Sequence, residues 1–305
     1  MRVDAVLIAG PTASGKSAVA LSLAERFAGA VVNADSMQVY RELRILTARP
    51  SPADEAKLPH RLYGHVSVAE RYSAGRYQRE AAQVLEELTA GAKARLPIFA
   101  GGTGLYFDAL ERGLSPIPTV SPEIREQVRA RFEEIGREAF YAELCARDPS
   151  CAVLRISDTQ RILRAADVLE ATGLPLSHWQ RLPGEPVLQN RKLARFVIAP
   201  PRAALYARID ARFHRMMEEG ALEEVRALAD LDPALPAARA LGVPSLLAYM
   251  EGAVSYEAAV EEAARRTRNY AKRQMAWLRT HMADWVWIEE EGLRNILSIV
   301  QENCS

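Results

Sequence analysis

Residues 10–17 read Gly10-Pro11-Thr12-Ala13-Ser14-Gly15-Lys16-Ser17, a full match to the pattern GxxxxGK[ST]. The run before it, residues 5–9 (AVLIA), is apolar and strand-like, and residues 17–27 behind it carry helical periodicity. A strand, a glycine turn and a helix in that order make a phosphate cradle. Glycines let backbone N–H groups turn inward, and the helix N-terminus adds positive potential. Lys16 supplies a point charge and Ser17 a hydroxyl for Mg²⁺. Only five of the 39 basic residues are lysines, which makes a lysine at this slot hard to ascribe to chance. The stretch points to a di- or triphosphate site in an α/β fold. It does not name the reaction.

Working outward, residues 30–34 (AVVNA) read as a second strand, 74–91 as a long amphipathic helix, and 96–100 (LPIFA) as another strand. This alternation predicts a parallel sheet with helices on both faces and ligands beyond the carboxyl ends of the strands. At one such end stands Asp35, which can bind a metal, accept a proton, hold a ligand or simply cap the next turn. At the other stands Gly101-Gly102-Thr103-Gly104, either a tight turn or a place where backbone approaches a ligand closely. An ATP-hydrolysing enzyme would carry a metal-binding Asp there. Here the one polar side chain delivered is the Thr103 hydroxyl.

Prolines punctuate residues 114–122 and 182–186. Between them the pattern is helical, with Ser121-Pro122 opening one helix, a second reading from Gly136 to Arg147, and a third from Asp158 to Thr172 closed by Gly173. Residues 193–199 return as a strand, and 202–282 are again helical. The expected architecture is a P-loop NTPase-like core with a parallel sheet, residues 1–115 and 190–305, interrupted by a small all-helical insertion at 116–189.

Lys+Arg and Asp+Glu are 39 each, so any nucleic-acid partner must use a local patch. Residues 265–283 offer one: Arg265, Arg266, Arg268, Lys272, Arg273 and Arg279 with no acid among them. On a helix, Ala264, Ala271, Met275 and Leu278 share a core-facing stripe, and Tyr270 and Trp277 lie beside the basic flank. Such a face suits a phosphate backbone with unstacked bases, and a solvated charged helix is the plainer alternative. Three cysteines (Cys145, Cys151 and Cys304) without CxxC spacing speak against a disulfide framework or zinc site. No stretch reaches the roughly 20 apolar residues of a membrane span. A cytoplasmic protein without a membrane partner is expected.

Together the motifs resemble the tRNA dimethylallyltransferase family, the isopentenyl transferases that prenylate an adenine beside the anticodon. The resemblance runs over nearly the whole chain: GPTASGKS at 10–17, DSMQVYR at 35–41, TARP at 47–50 and GGTGLY at 101–106. It continues with DTQRILRA at 158–165, LEATGLPLS at 169–177 and TRNYAKRQMAWLR at 267–279. It implies transfer of a dimethylallyl group from dimethylallyl diphosphate to the N6 amine of adenine, with Mg²⁺, by a monomer. Asp35 is then the general base, and Thr103 hydrogen-bonds near the amine or the diphosphate. Gly10, Pro11, Thr12, Ala13, Ser14, Gly15, Lys16, Ser17 and Arg212 bind the diphosphate, Ser17 through the metal. The tRNA anticodon stem-loop is met by Asp35, Ser36, Met37 and Gln38, by Thr103 and Arg125, and by Gln160, Arg161, Ile162, Leu163 and Arg164. It is also met by Lys272, Arg273, Gln274, Met275, Ala276, Trp277, Leu278 and Arg279. One departure stands out: within residues 239–244 Val243 takes the place of a tyrosine common in the family.

The chemistry agrees. An aryl amine is a weak nucleophile, and the allylic carbon becomes strongly electrophilic only as diphosphate departs. Such a site needs positive charge on the leaving group and a base at the amine. The competing reading is a P-loop small-molecule kinase that uses the same loop for nucleotide (ATP) binding.

Overall fold

The computed structural model describes residues 3–289, 296 and 298–301. The chain divides into two compact units, Met1–Glu111 with Val187–Ser305, and Arg112–Pro186. In the first unit β1 (Ala5–Ala9) runs through the phosphate loop into α1 (Lys16–Arg26). Then come β2 (Ala30–Asn33), α2 (Pro52–Lys57), β3 (His60–Arg61), α3 (Ala74–Thr89), β4 (Pro97–Gly101) and α4 (Gly104–Glu111). The second unit holds α5 (Pro122–Arg147), α6 (Thr159–Thr172) and α7 (Leu176–Gln180). The first unit resumes with β5 (Leu193–Ile198), α8 (Arg202–Glu218), α9 (Ala221–Arg226), α10 (Val243–Met250), α11 (Tyr256–His281) and β6 (Val286–Ile288).

Among the described residues the six strands form one sheet in the order β3-β2-β4-β1-β5-β6, every pair parallel. The α/β class expected from the sequence is the one found. β1, β2 and β4 are buried at every residue, as the continuous apolar runs require of strands covered on both faces. Register sets Val6 opposite Ile98 and Ala194, and Ile8 opposite Ala100 and Phe196. Those rows pack with Val19, Ala20 and Leu23 of α1 in one core cluster. β3 and β6 were not foreseen; two or three residues at a sheet edge leave no periodicity to read.

A second cluster gathers the chain after β2 (Val39, Tyr40, Leu43, Leu46) with Phe213 and Met216 of α8, Val243 and Leu246 of α10 and Ala263 of α11. It carries the residues after Asp35 into a fixed loop. Glu224 of α9 finishes the job, its carboxylate accepting the N–H groups of Arg44, Ile45 and Leu46 at 2.7, 2.7 and 2.9 Å.

The unit 112–186 has its own core, built on Val128, Phe140, Leu144, Ile162, Ala165 and Leu169. Ser121 caps α5 by accepting the Ile124 N–H, with Pro122 at the first helical position. The helix expected to begin at Gly136 is the far half of α5, bent where Gly136 adopts φ 78°. Asp158 caps α6 through the Arg161 N–H at 3.2 Å. Cys145 and Cys151 are free thiols, and Cys304 lies outside the described residues. No described helix is long and apolar enough to cross a membrane.

The ends of β2 and β4 touch through backbone. A Cβ on Gly101 would stand 1.9 Å from the Ala34 carbonyl oxygen, with no flexible side chain to yield. Gly101→Ala should therefore cost about 3 kcal/mol of stability. A urea midpoint equal to that of the parent protein would contradict this account of the strand ends.

Candidate active site

The phosphate loop leaves β1 at Gly10 and enters α1 at Lys16. Ala13 and Gly15 take left-handed backbone, φ 64° and 92°, which turns successive N–H groups toward one side. Lys16 is buried and its ammonium donates to the Pro11 carbonyl at 3.2 Å. Burial pushes its pKa down to about 8, against a raising effect from the Asp35 charge and a further lowering from Arg212. Arg212 of α8 donates to the Thr12 hydroxyl, and burial holds its pKa down to about 10, again opposed by Asp35. Ser14 Oγ is buried with no hydrogen-bond partner, an orphan of the kind a phosphate oxygen satisfies.

Asp35 follows β2 in a turn that Asn33 enforces. The fully buried Asn33 amide donates to the carbonyls of Asp35 and Leu62 and accepts the Asp35 N–H at 2.8 Å. One carboxylate oxygen of Asp35 accepts the Met37 N–H at 3.0 Å. The capping reading of Asp35 is thus realised, and the same residue also lines a cavity. Thr103 is stitched to that turn from the end of β4. Its N–H donates to Ala34 O at 3.2 Å, and its hydroxyl accepts the Ser36 N–H at 2.9 Å. Tyr270 of α11 shares a hydrogen bond with Thr103; burial first, then the Asp35 charge, raises its phenol pKa.

The cavity, about 290 Å³, has Thr12 and Arg212 on its wall together with Asp35 and Ser36. The same wall holds Met37, Leu46, Ile209, Phe213, Met216 and Leu241. Sequence reading missed this apolar wall. Ile209, Phe213 and Met216 recur at helical spacing on α8, which cannot be told from ordinary core. Arg239 lines the cavity too, whereas Val243 is fully buried in the second cluster. The substitution at 243 thus falls on packing.

The structure corrects several residues taken for a nucleic-acid surface. In α11 the acid-free window ended too soon. Arg265 and Arg266 both pair with Glu262, and Arg268 pairs with Asp210 and Glu261. Half of the basic stripe is therefore a mixed-sign surface. Gln274 and Leu278 are buried; Gln274 takes the core row that was assigned to Met275, which is only half-buried. Lys272, Arg273, Ala276 and Arg279 remain exposed, with Trp277 half-buried and stacked on His281 at 4.2 Å. The Arg273 guanidinium lies 5.7 Å from the Tyr270 ring centre and lines the cavity. In α6, Ile162 is core, Gln160 and Arg161 are exposed, and Leu163 and Arg164 are half-buried. Burial is the main cause lowering the Arg164 pKa, and the nearby positive Arg125 adds to it.

Three His, Cys, Asp or Glu side chains nowhere gather into a metal cluster among the described residues. Ser17 is exposed on the first turn of α1. One hydroxyl beside a phosphate cradle is the donor set for a cation that arrives with its phosphate oxygens and waters.

With this geometry in hand, comparison with known proteins gives one answer. The IPP transferase family pattern matches residues 38–281. The chain is 55% identical over 300 residues to a tRNA dimethylallyltransferase of Nitrobacter hamburgensis, covering 97% of this chain and 94% of that one. It is 51% identical to one of Methylobacterium radiotolerans, covering 95% and 94%. Among solved structures it is similar to the tRNA isopentenylpyrophosphate transferase of Bacillus halodurans, with TM-score 0.70, 28% identity and coverage of 99% and 95%. It is also similar to a eukaryotic dimethylallyltransferase acting on tRNA, with TM-score 0.78, 25% identity and coverage of 93% and 73%.

The lowered Lys16 pKa has a direct consequence. Below pH 8 the ammonium is charged and above it the amine is neutral, so inorganic pyrophosphate should bind more weakly as pH rises through about 8. Calorimetric titration of the parent and of Lys16→Arg would check this. The arginine variant, charged throughout, should lack the break.

Proposed function

The chain belongs to the IPP transferase family, and from that membership we propose that its site moves a dimethylallyl group from dimethylallyl diphosphate to N6 of the adenine beside the tRNA anticodon. It is a prenyltransferase that acts on tRNA. The observation that carries the assignment of its site is one cavity whose wall combines Asp35, Ser36, Thr12 and Arg212 with a set of apolar side chains. A prenyl diphosphate has both kinds of part, an anionic head and an apolar tail. The kinase reading finds no support in the relatives, which are named for dimethylallyl transfer.

In the proposed reaction the diphosphate lies in the turn of residues 10–17, met by Lys16, the loop N–H groups and Arg212. Mg²⁺ bound at Ser17 would supply further positive charge to the leaving group. The prenyl tail faces Met37, Ile209, Phe213 and Met216, which exclude water from an allylic carbon that becomes electrophilic as its C–O bond lengthens. The adenine must leave its stack in the anticodon loop to enter, at a cost of a few kcal/mol. N6 then forms its bond to the allylic carbon, the C–O electron pair departs with diphosphate, and the amine proton passes to Asp35. Because Met37 N–H holds one Asp35 oxygen, the carboxylate keeps one orientation toward the amine. Thr103, fixed by Ser36, is the hydroxyl at the same end of the site. The exposed Lys272, Arg273 and Arg279, with Gln160, Arg125 and Arg161 (itself paired with Asp158 at 3.3 Å), are the groups for the tRNA backbone. The enzyme is placed with its tRNA substrate in the cytoplasm and works as a monomer.

Asp35→Ala should lower kcat for prenyl transfer by about a hundredfold or more, with tRNA affinity within a fewfold. Labelled-allyl turnover equal to the parent would remove Asp35 as the base. For the tRNA grip, Lys272→Ala with Arg279→Ala should flatten the log–log salt dependence of tRNA binding by about one unit per residue. Arg265→Ala with Arg266→Ala should leave it nearly unchanged, since both cations are already matched by Glu262. The reverse ranking would overturn the division of α11 into paired and open halves.

A further inference from the structure

Gln274 sits in the buried row of α11, 6% exposed, and both ends of its amide are used. Its Oε1 accepts the Thr12 N–H at 2.9 Å, and its Nε2 donates to the Gly102 carbonyl at 2.9 Å. A Cβ on Gly102 would meet Nε2 at 2.2 Å, so any side chain there would displace this amide from its hydrogen bonds. One amide thus joins the loop that carries Lys16 to the loop that carries Thr103.

The Thr12 N–H belongs to the same peptide unit as the Pro11 carbonyl, and that carbonyl accepts the Lys16 ammonium at 3.2 Å. A trans peptide is planar, with its N–H and C=O pointing opposite ways. Holding the N–H on Gln274 therefore aims the carbonyl at Lys16. Arg212, gripping the Thr12 hydroxyl, fixes the residue from its other side.

We propose that Gln274 is a positioning residue for prenyl transfer: it sets the Pro11–Thr12 peptide, and through it the Lys16 ammonium, in register with the Thr103 side of the site. The inference rests on the prenyl-transfer reading and adds to it a residue whose place in a basic helix suggests an RNA contact instead. It also gives Gly102 a reason to be glycine that is separate from the diphosphate.

The test is steady-state kinetics of the purified full chain, varying dimethylallyl diphosphate and unmodified tRNA in turn. Gln274→Met, which fills the space without either hydrogen bond, should raise KM for the diphosphate five- to tenfold and leave KM for tRNA within twofold. Gln274→Glu keeps the oxygen that Thr12 needs and should raise it less. Thermal melting identifies a variant that has not folded; if that is Gln274→Met, Gln274→Glu decides by the same split. A folded variant with unchanged KM for the diphosphate would overturn the proposal, and so would a rise in KM for tRNA of equal size. A parent protein that transfers no prenyl group to tRNA would instead overturn the reading beneath it.

Discussion

Two cations drawn out of water, Lys16 buried and Arg212 half-buried, set the terms for everything around them. Burial lowers both pKa values, to about 8 and about 10, which measures how far the protein works against their charge. A buried cation is costly unless an anion meets it. Asp35 opposes the lowering at both, yet its own oxygen is tied to the Met37 N–H in the neighbouring loop. In the proposed reaction a diphosphate brings the missing negative charge, and the orphaned Ser14 hydroxyl and the left-handed turn at Ala13 and Gly15 suit the same need. The site is built to be completed by a polyanion. That is also why the anion is a good leaving group there: the charge it gains on departure is already provided for.

What sequence reveals here follows the range of each interaction. The phosphate loop is legible because eight consecutive residues make it, and the strand and helix beside it are set by neighbours a few positions away. Ser121 and Asp158 cap their helices through N–H groups three residues on, and both are readable for the same reason. Asp35 was legible as a polar residue ending a strand. Its setting was not, because the stitch from Thr103 to Ser36 joins strand ends 67 positions apart. Glu224 holding the N–H groups of Arg44, Ile45 and Leu46 is invisible for that reason too: some 180 positions separate the partners.

The basic helix shows the same limit from the other direction. A window with six cations and no acid looks like an uncompensated field, but a helix has neighbours one turn back and across the groove. Glu261 and Glu262 lie just outside the window, and Asp210 comes from α8. The remaining open cations are Lys272, Arg273 and Arg279; Lys272 and Arg279 share one face of the helix, and Arg273 lies one turn before the half-buried Trp277. Electrostatic reading of a sequence works for the sum of charges and fails for their pairing, since pairing depends on side chains reaching three or four residues or between helices.

The apolar wall completes the argument for why such a phosphate cradle can serve carbon chemistry. In a phosphoryl transferase the reacting atom is phosphorus, so carboxylates and metals must crowd around the end of the nucleotide. Here β4 delivers glycines in place of an acid, and Gly101 must stay bare because its neighbour Ala34 leaves no room. The cavity that Asp35 lines is walled by Met37, Ile209, Phe213 and Met216. Glycine in place of acid at the end of β4 thus removes the means to handle a terminal phosphate, and the proposed reaction asks of its tail only that it be kept dry.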